Sequence, residues 1–321
     1  MKQKIVIISA ITLLLLLVAF MVKDFYFNKP DNSNPYKFEL DKLRIADTAK
    51  AAYSETLHFK TSLEEIHGIS TDLPGNIYVA GKNGVEIFDP AGKSIFKVNI
   101  GGTANCISVP ENGNYYLGIL DHIEIWNNSG KQLARWASFG ADAVITSIAV
   151  KGEDVFIADA GQKVVYHCDL KGILINKIGL KDPATGVRGF IIPSAYFDLG
   201  TCKDGNLWVV NPGRHSFEKY DFDGKLLSSW GKASMAMEGF CGCCNPSNFA
   251  MIYDSLFVTS EKAIERVKIY NADGTFRCVV AGPDQFEAGT KGLDLAVDKN
   301  NRILVLDPVK KLVRIFELKK S

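Results

Sequence analysis

A unit of four short strands recurs six times between residue 60 and the end of this 321-residue chain. The second strands of the six units begin at residues 77, 115, 155, 207, 256 and 303, which are 38, 40, 52, 49 and 47 residues apart. A turn that opens with Asp or Asn and closes with Gly follows the third strand of five units, at residues 89–92, 127–130, 169–172, 221–224 and 271–274. Asp and Asn open such turns by bonding to their own backbone, and Gly closes them with a positive φ. Four strands in about 40 to 50 residues are typical of a propeller blade.

The repeat therefore predicts an all-β fold, a six-bladed β-propeller with four-stranded blades. The sixth unit ends at residues 312–316, which leaves no room for its fourth strand. Residues 56–60 precede the first unit and can supply that strand, so that the N- and C-terminal strands close the ring and leave no open sheet edge. A two-sheet sandwich explains neither the sixfold turn spacing nor the missing strand.

The N-terminus contains an uncharged apolar run of 18 residues, positions 5–22, which is close to the length that crosses a bilayer as a helix. Large residues at positions 20–22 leave no small-residue cleavage site, so we expect an uncleaved anchor, with a cleaved signal peptide as the alternative. Lys2 and Lys4 precede the run and favour a cytoplasmic N-terminus. The resulting domain prediction is an anchor at 1–22, a polar linker at 23–52 and the propeller at 53–321.

The same charge pattern predicts a single-pass protein of the inner (cytoplasmic) membrane with its propeller on the periplasmic, extracytoplasmic side. The chain carries 37 basic and 36 acidic residues, for a net charge of +1. It lacks the basic surplus that is typical of nucleic-acid-binding proteins, so we expect no nucleic-acid partner.

The units resemble NHL repeats, for example in Gly-Asn-Leu-Trp-Val-Val-Asn at 205–211 and Asn-Arg-Ile-Leu-Val-Leu-Asp at 301–307. The stretch from Trp230 through Gly-Phe-Cys-Gly-Cys-Cys-Asn-Pro at 239–246 to residues 281–283 resembles a subgroup of bacterial membrane-anchored NHL proteins. That subgroup has no assigned activity. The resemblance implies the fold and a membrane anchor but no reaction, because propellers support many activities.

Three of the seven cysteines, Cys241, Cys243 and Cys244, lie on this glycine-containing loop, which we call the Cys loop (residues 239–246). A structural disulfide would suit an exported protein. A metal site would combine two or three thiolates with His215 and would suit zinc, copper or iron, although the spacing is not the CxxC pair that structural zinc prefers. A redox pair would need a thiol pKa lowered by neighbours such as Arg214, Lys262 or His215. The fourth alternative is a tight cap of reduced thiols.

Propeller topology places the loops between second and third strands, and the connections between blades, on one face. We call it the insertion face, because the two longest repeat spacings come from insertions there, and binding sites tend to lie on such loops. The candidate binding residues on it are Arg188, Asn211, Arg214, His215, Glu261, Lys262 and Asp307. Arg214 offers a planar fork for a carboxylate or phosphate, or it pairs with Glu261 or Asp307. A three-histidine metal site of His67, His122 and His215 is a further alternative.

Two function classes follow. The first is a ligand- or protein-binding and assembly module, anchored in the membrane and acting through the insertion face. The second is a metal- or thiol-dependent redox or enzymatic module that uses the Cys loop with His215 and Arg214. The sequence contains no nucleophile–base–acid set at diagnostic spacing and no CxxCH haem attachment motif. We therefore favour the binding module and predict no catalytic residue.

Overall fold

The computed structural model describes residues 2–27, 50–184, 187–242, 244–253, 255–262 and 264–319. Helix α1 (Lys2–Phe27) has 26 residues and is about 39 Å long at 1.5 Å per residue. Its segment Ile5–Asp24 is long and apolar enough to cross a membrane, a property that an N-terminal signal sequence shares. The apolar helix predicted over residues 5–22 is thus confirmed, as an anchor or a signal sequence.

The remaining described residues form short strands grouped into six sheets. The first strand is β1 (Tyr53–Lys60). Blade one contains β2 (Ile66–Thr71), β3 (Ile77–Gly81), β4 (Gly84–Phe88) and β5 (Ser94–Val98). Blade two contains β6 (Cys106–Ser108), β7 (Tyr115–Ile119), β8 (His122–Trp126) and β9 (Gln132–Arg135). Blade three contains β10 (Ile145–Lys151), β11 (Asp154–Asp159), β12 (Val164–Asp169) and β13 (Leu174–Ile178).

Blade four contains β14 (Leu199–Thr201), β15 (Asn206–Asn211), β16 (Ser216–Asp221) and β17 (Leu226–Trp230). Blade five contains β18 (Asn248–Ile252), β19 (Leu256–Glu261), β20 (Arg266–Asn271) and β21 (Phe276–Ala281). Blade six contains β22 (Asp294–Val297), β23 (Ile303–Asp307) and β24 (Leu312–Leu318). Two 3-10 helices, Pro212–Arg214 and Pro283–Gln285, lie between strands.

Each blade is an antiparallel sheet, and in blades one to five the strands follow chain order from the central axis outward. The sixth sheet has the order β1-β24-β23-β22, so the strand that precedes blade one supplies the missing outer strand of blade six. Phe59 pairs with Val313 and Leu57 with Ile315 in this closure, and Arg314 donates to the Glu55 carboxylate beside it. The six-bladed fold and its closure by the two terminal strands are confirmed.

The five turns between third and fourth strands have the predicted geometry. In blade one the Gly92 amide donates to the Asp89 carbonyl at 2.9 Å, and the Asp89 carboxylate accepts the amides of Ala91 and Lys93. The closing glycines all have positive φ, at Gly92, Gly130, Gly172, Gly224 and Gly274. These positions need glycine, because other residues adopt such a φ only with strain.

The same glycines carry the packing between blades. A Cβ on Gly172 would lie 2.5 Å from the ring of Trp136, and one on Gly274 would lie 2.8 Å from the ring of Trp230. Both tryptophans come from the outer part of the preceding blade. Phe59 and Phe96 lie in the same way over Gly92 and Gly130. The bare glycine backbone thus lets each blade accept a large side chain from its neighbour.

Candidate functional site

The insertion face opens into a cavity of about 550 Å³ at the centre of the ring, which we call the mouth. The segments that enter all six blades contribute to its wall. Its polar lining residues are Glu64, Glu65, His67, Asn105, Thr146, Tyr196, Asn248, Lys291 and Lys311. A site at this position is held by the whole ring rather than by one loop.

A second cavity of about 250 Å³ adjoins the mouth, and we call it the channel. The two cavities share His67, Asn105, Thr146 and Asn248. The channel is lined by the innermost strands and holds two carboxylates, Asp198 and Asp294. Among the described residues that line it there is no Lys or Arg.

Asp198 joins three blades at the edge of the channel. One carboxylate oxygen accepts the Ser147 hydroxyl at 2.5 Å and the Leu199 amide at 2.8 Å, and the other accepts the Phe249 amide at 2.8 Å. Burial raises the pKa of Asp198 to about 6, although these three hydrogen bonds act in the opposite direction.

Asp294 begins blade six and joins it to blades one and five. Its Oδ2 accepts the Ile69 amide at 2.8 Å, and its Oδ1 accepts the Asn248 side-chain amide at 3.2 Å. Burial, followed by the negative charge of Asp198, raises the pKa of Asp294 to about 7. The two carboxylates therefore oppose each other's ionisation across the channel.

Two further acceptors lie where the mouth meets the channel. Asn248 Oδ1 and His67 Nε2 are buried atoms without a hydrogen-bond partner among the described residues. Burial lowers the pKa of His67, against the opposing effect of Glu65, whose Oε2 lies 3.7 Å from Nε2. Burial thus favours the neutral form of the His67 ring.

The Cys loop packs against blade five. The Cys241 thiol is buried, and the nearest guanidinium nitrogen of Arg266 lies 3.7 Å from its Sγ. Burial and then the Glu261 carboxylate raise the pKa of Cys241, which outweighs the opposite effect of Arg266 and Lys268. Cys243 lies outside the described residues. The choice between a disulfide, a metal site, a redox pair and a cap stays a prediction.

A buried ion cluster lies under the Cys loop. Glu261, which is 1% exposed, accepts Arg266 Nε at 2.6 Å and Lys268 Nζ at 2.9 Å. Lys268 Nζ also donates to the carbonyls of Gly239 at 2.7 Å and Met237 at 3.1 Å. This cluster holds the start of the Cys loop and the residue Met237 before it against β20, and it buries the Glu261 carboxylate.

The other end of the Cys loop is held by a second set of contacts. The Asn245 side chain donates to the carbonyls of Cys241 and Lys262 and accepts the Lys262 amide at 2.9 Å. Lys262 Nζ donates to Ser194 Oγ at 3.0 Å, and Ser194 Oγ donates to Cys244 Sγ at 3.0 Å. The Lys262 ammonium also lies 4.5 Å from the ring centre of Tyr196, which lines the mouth.

Blade four carries four of the predicted binding residues. Asn211 is fully buried, accepts the Ile191 amide at 3.0 Å and donates to Glu218 at 2.8 Å, so it anchors the inserted segment. Arg214 donates to the carbonyls of Arg188 and Gly189 at 3.5 and 3.4 Å. Arg188 and Arg214 line one side pocket of about 330 Å³. His215 lies beside it with a left-handed φ of 55°.

The remaining candidates lie apart. Asp307 is fully buried and accepts the Lys310 amide at 3.1 Å, with Arg314 at 3.9 Å. His122 bonds to Asp121 at 2.9 Å. Within the described ranges, no group of three or more His, Cys, Asp or Glu side chains is placed to hold a metal ion. Of the candidate residues, His67 lines the mouth itself, and Lys262 contacts its wall through Tyr196.

Sequence reasoning missed Asp198, Asp294, Arg266 and Lys268. The first two had a signal: they occupy the same position at the start of the innermost strand in blades four and six, as Asp-Leu pairs, and Asn248 occupies that position in blade five. Arg266 and Lys268 had none, because alternate charged residues on a strand ordinarily indicate a solvated face.

No family model and no curated protein matches the chain. Among the solved structures with a similar fold are those of two lyases. A streptogramin B lyase structure is 11% identical, with a TM-score of 0.56, over 83% of this chain and 98% of that chain. A virginiamycin B lyase from Staphylococcus aureus is 10% identical, with a TM-score of 0.57, over 83% of this chain and all of that chain. At this identity the likeness extends to the six-bladed propeller fold alone.

Proposed function

We propose that this chain is a binding module that holds a small-molecule or peptide ligand in the mouth on its insertion face. The observation that carries the proposal is the 550 Å³ cavity, to which the entry segments of all six blades contribute. Its volume suits a small ligand, and its polar lining offers fixed hydrogen-bonding groups. The contacts of Lys268 and Asn245 suggest that the Cys loop stiffens one wall of this face.

Catalysis has less support. The two similar structures are those of lyases, but identities of 10 and 11% do not transfer a reaction. A thiol reaction needs an accessible thiolate, and burial raises the pKa of Cys241. We therefore keep the metal- or thiol-dependent module as the second alternative.

Thermal unfolding with a metabolite library tests the proposal on the full chain in detergent micelles. A compound present at 100 times its Kd adds about 2.7 kcal/mol to stability, which raises the Tm by several degrees. The shift should disappear in Asn105→Leu, which alters the mouth wall. It should persist in Asn300→Leu, a matched change on the β22–β23 turn of the opposite face. A library without a stabilising compound, or equal shifts in both variants, contradicts the proposal.

We further propose that α1 remains on the mature protein, anchors it in the cytoplasmic membrane and leaves the propeller outside the cytoplasm. The length of the apolar helix and the large residues at positions 20–22 support this. The intact mass of the protein from membranes washed with alkaline carbonate should equal that of the full chain. A mass that lacks the first 20 to 30 residues would show a cleaved signal sequence instead.

A further inference from the structure

We propose that the channel binds a primary ammonium group carried by the ligand that enters through the mouth. This inference rests on the proposed binding function and specifies the ligand's chemistry. It starts from the lining, in which the described residues include two carboxylates and no Lys or Arg.

The two carboxylates have different roles. The oxygens of Asp198 already accept three donors at 2.5 to 2.8 Å, so this residue contributes negative charge rather than a contact. Asp294 Oδ1 accepts one side-chain hydrogen bond, the 3.2 Å bond from Asn248, and the Leu295 backbone amide also interacts with this carboxylate. Because its side-chain bond is long, Oδ1 of Asp294 has the most capacity for a further donor among these oxygens.

The uncharged acceptors complete the set. Asn248 Oδ1 and His67 Nε2 line the same channel and are buried without a partner among the described residues. A buried acceptor without a partner is unfavourable, so a ligand that donates to it relieves that cost. An ammonium group has three N–H donors and no acceptor. Asp294 and Asn248 supply acceptors for two of them, and His67 Nε2 supplies the third in the tautomer that carries its proton on Nδ1.

The lining favours an ammonium group over a metal ion. The part of the chain that the structure describes contains no group of three or more His, Cys, Asp or Glu placed to ligate a metal. Three of the four carboxylate oxygens of Asp198 and Asp294 accept backbone amides, and the fourth accepts the Asn248 side chain. Few strong oxygen ligands therefore remain for a metal ion. A cation between Asp198 and Asp294 also offsets the repulsion between them.

Calorimetric titration of the full chain in non-ionic micelles at pH 8 tests this with matched probes. The probes are butylamine and 1,4-diaminobutane, with butanol and 1,4-butanediol as neutral counterparts. At least one amine should bind at least tenfold more tightly than its alcohol. Asp294→Asn should weaken the amine at least tenfold, and Asp204→Asn on the opposite face should leave it unchanged, because Asp204 is an exposed partner of Lys219.

Asp294 also accepts the Ile69 amide, so Asp294→Asn risks unfolding, and a measurement on the unaltered chain avoids that risk. Amine affinity should fall at least tenfold between pH 8 and pH 5, because the pKa values of Asp198 and Asp294 are about 6 and 7 and the amines stay protonated. Three results would overturn the inference. The first is equal binding of amines and alcohols, and the second is no amine binding below 10 mM, an affinity of about 3 kcal/mol. The third is binding of MgCl₂ or CaCl₂ that excludes the amines. Library compounds without an amino group that stabilise through Asn105 would refute the ammonium site while the binding function stands.

Discussion

Replacing Lys268 by Met tests whether the buried ion cluster holds the Cys loop in place. The Lys268 side chain is fully buried, and its Nζ donates to Glu261 and to the carbonyls of Gly239 and Met237. Methionine keeps the shape of the side chain but removes the charge and all three donors. Two carbonyls and one carboxylate oxygen then lose their partner inside the protein.

The expected loss of stability follows from these contacts. Breaking a buried ion pair by removing one partner costs about 3 to 5 kcal/mol. Arg266 remains 2.6 Å from Glu261 and still compensates part of its charge. Burial also lowers the pKa of Lys268 to about 8, so the charged lysine already carries a desolvation cost that methionine removes. We therefore expect the lower end of the range, a loss of about 3 kcal/mol.

Urea unfolding followed by tryptophan fluorescence measures the loss, because the Trp230 ring lies 5.4 Å from that of Tyr270 next to the cluster. The matched control is Lys219→Met, which breaks an exposed pair with Asp204 and should cost at most about 1 kcal/mol. A loss below 1 kcal/mol for Lys268→Met, or a loss equal to the control, would refute the structural role of the cluster.

Three further predictions concern closure, the turns and the channel. A chain that starts at residue 46 should unfold in urea like the full propeller. A chain that starts at residue 63 lacks β1 and should be much less stable. Equal stability of the two truncated chains would refute closure by β1. Gly172→Ala should lower the Tm far more than Gly205→Ala. Both glycines have positive φ, but only Gly172 lies against the Trp136 ring. Equal Tm shifts would contradict the packing of Trp136 on Gly172. The raised pKa of Asp294 means that the folded state holds its proton more tightly, so this group's contribution to stability is lost as pH rises from about 4 to 7. The unfolding free energy of the wild type relative to Asp294→Asn should fall by up to about 4 kcal/mol over that range, and a constant difference would refute the assignment.

The fold could be predicted because its signals are local and repeated. The turn at residues 89–92 shows its Asp and Gly in sequence, and the six copies of the second strand set the number of blades. The closure by β1 followed from counting strands, since blade six lacked one and residues 56–60 were available. Each inference needed only neighbouring residues or a count.

The site was harder, because it depends on which side chains meet across blades. Asp198 and Asp294 are 96 positions apart and come together only through the ring (198 to 294). Glu261 and Asp307 were expected to face a ligand, yet buried cations on neighbouring strands lie beside both. A single sequence does not show which of two strand faces turns inward when charged residues occupy both.

Native mass spectrometry of the full chain released from micelles tests the central claim, that the mouth holds a ligand, most directly. The protein should be incubated with the library compound that raises its Tm most, and Asn105→Leu and Asn300→Leu should be measured in parallel. If the mouth holds the ligand, the wild type and Asn300→Leu should each carry one ligand per chain, and Asn105→Leu should carry none. The same ligand occupancy in all three proteins would place the ligand elsewhere and contradict binding in the mouth.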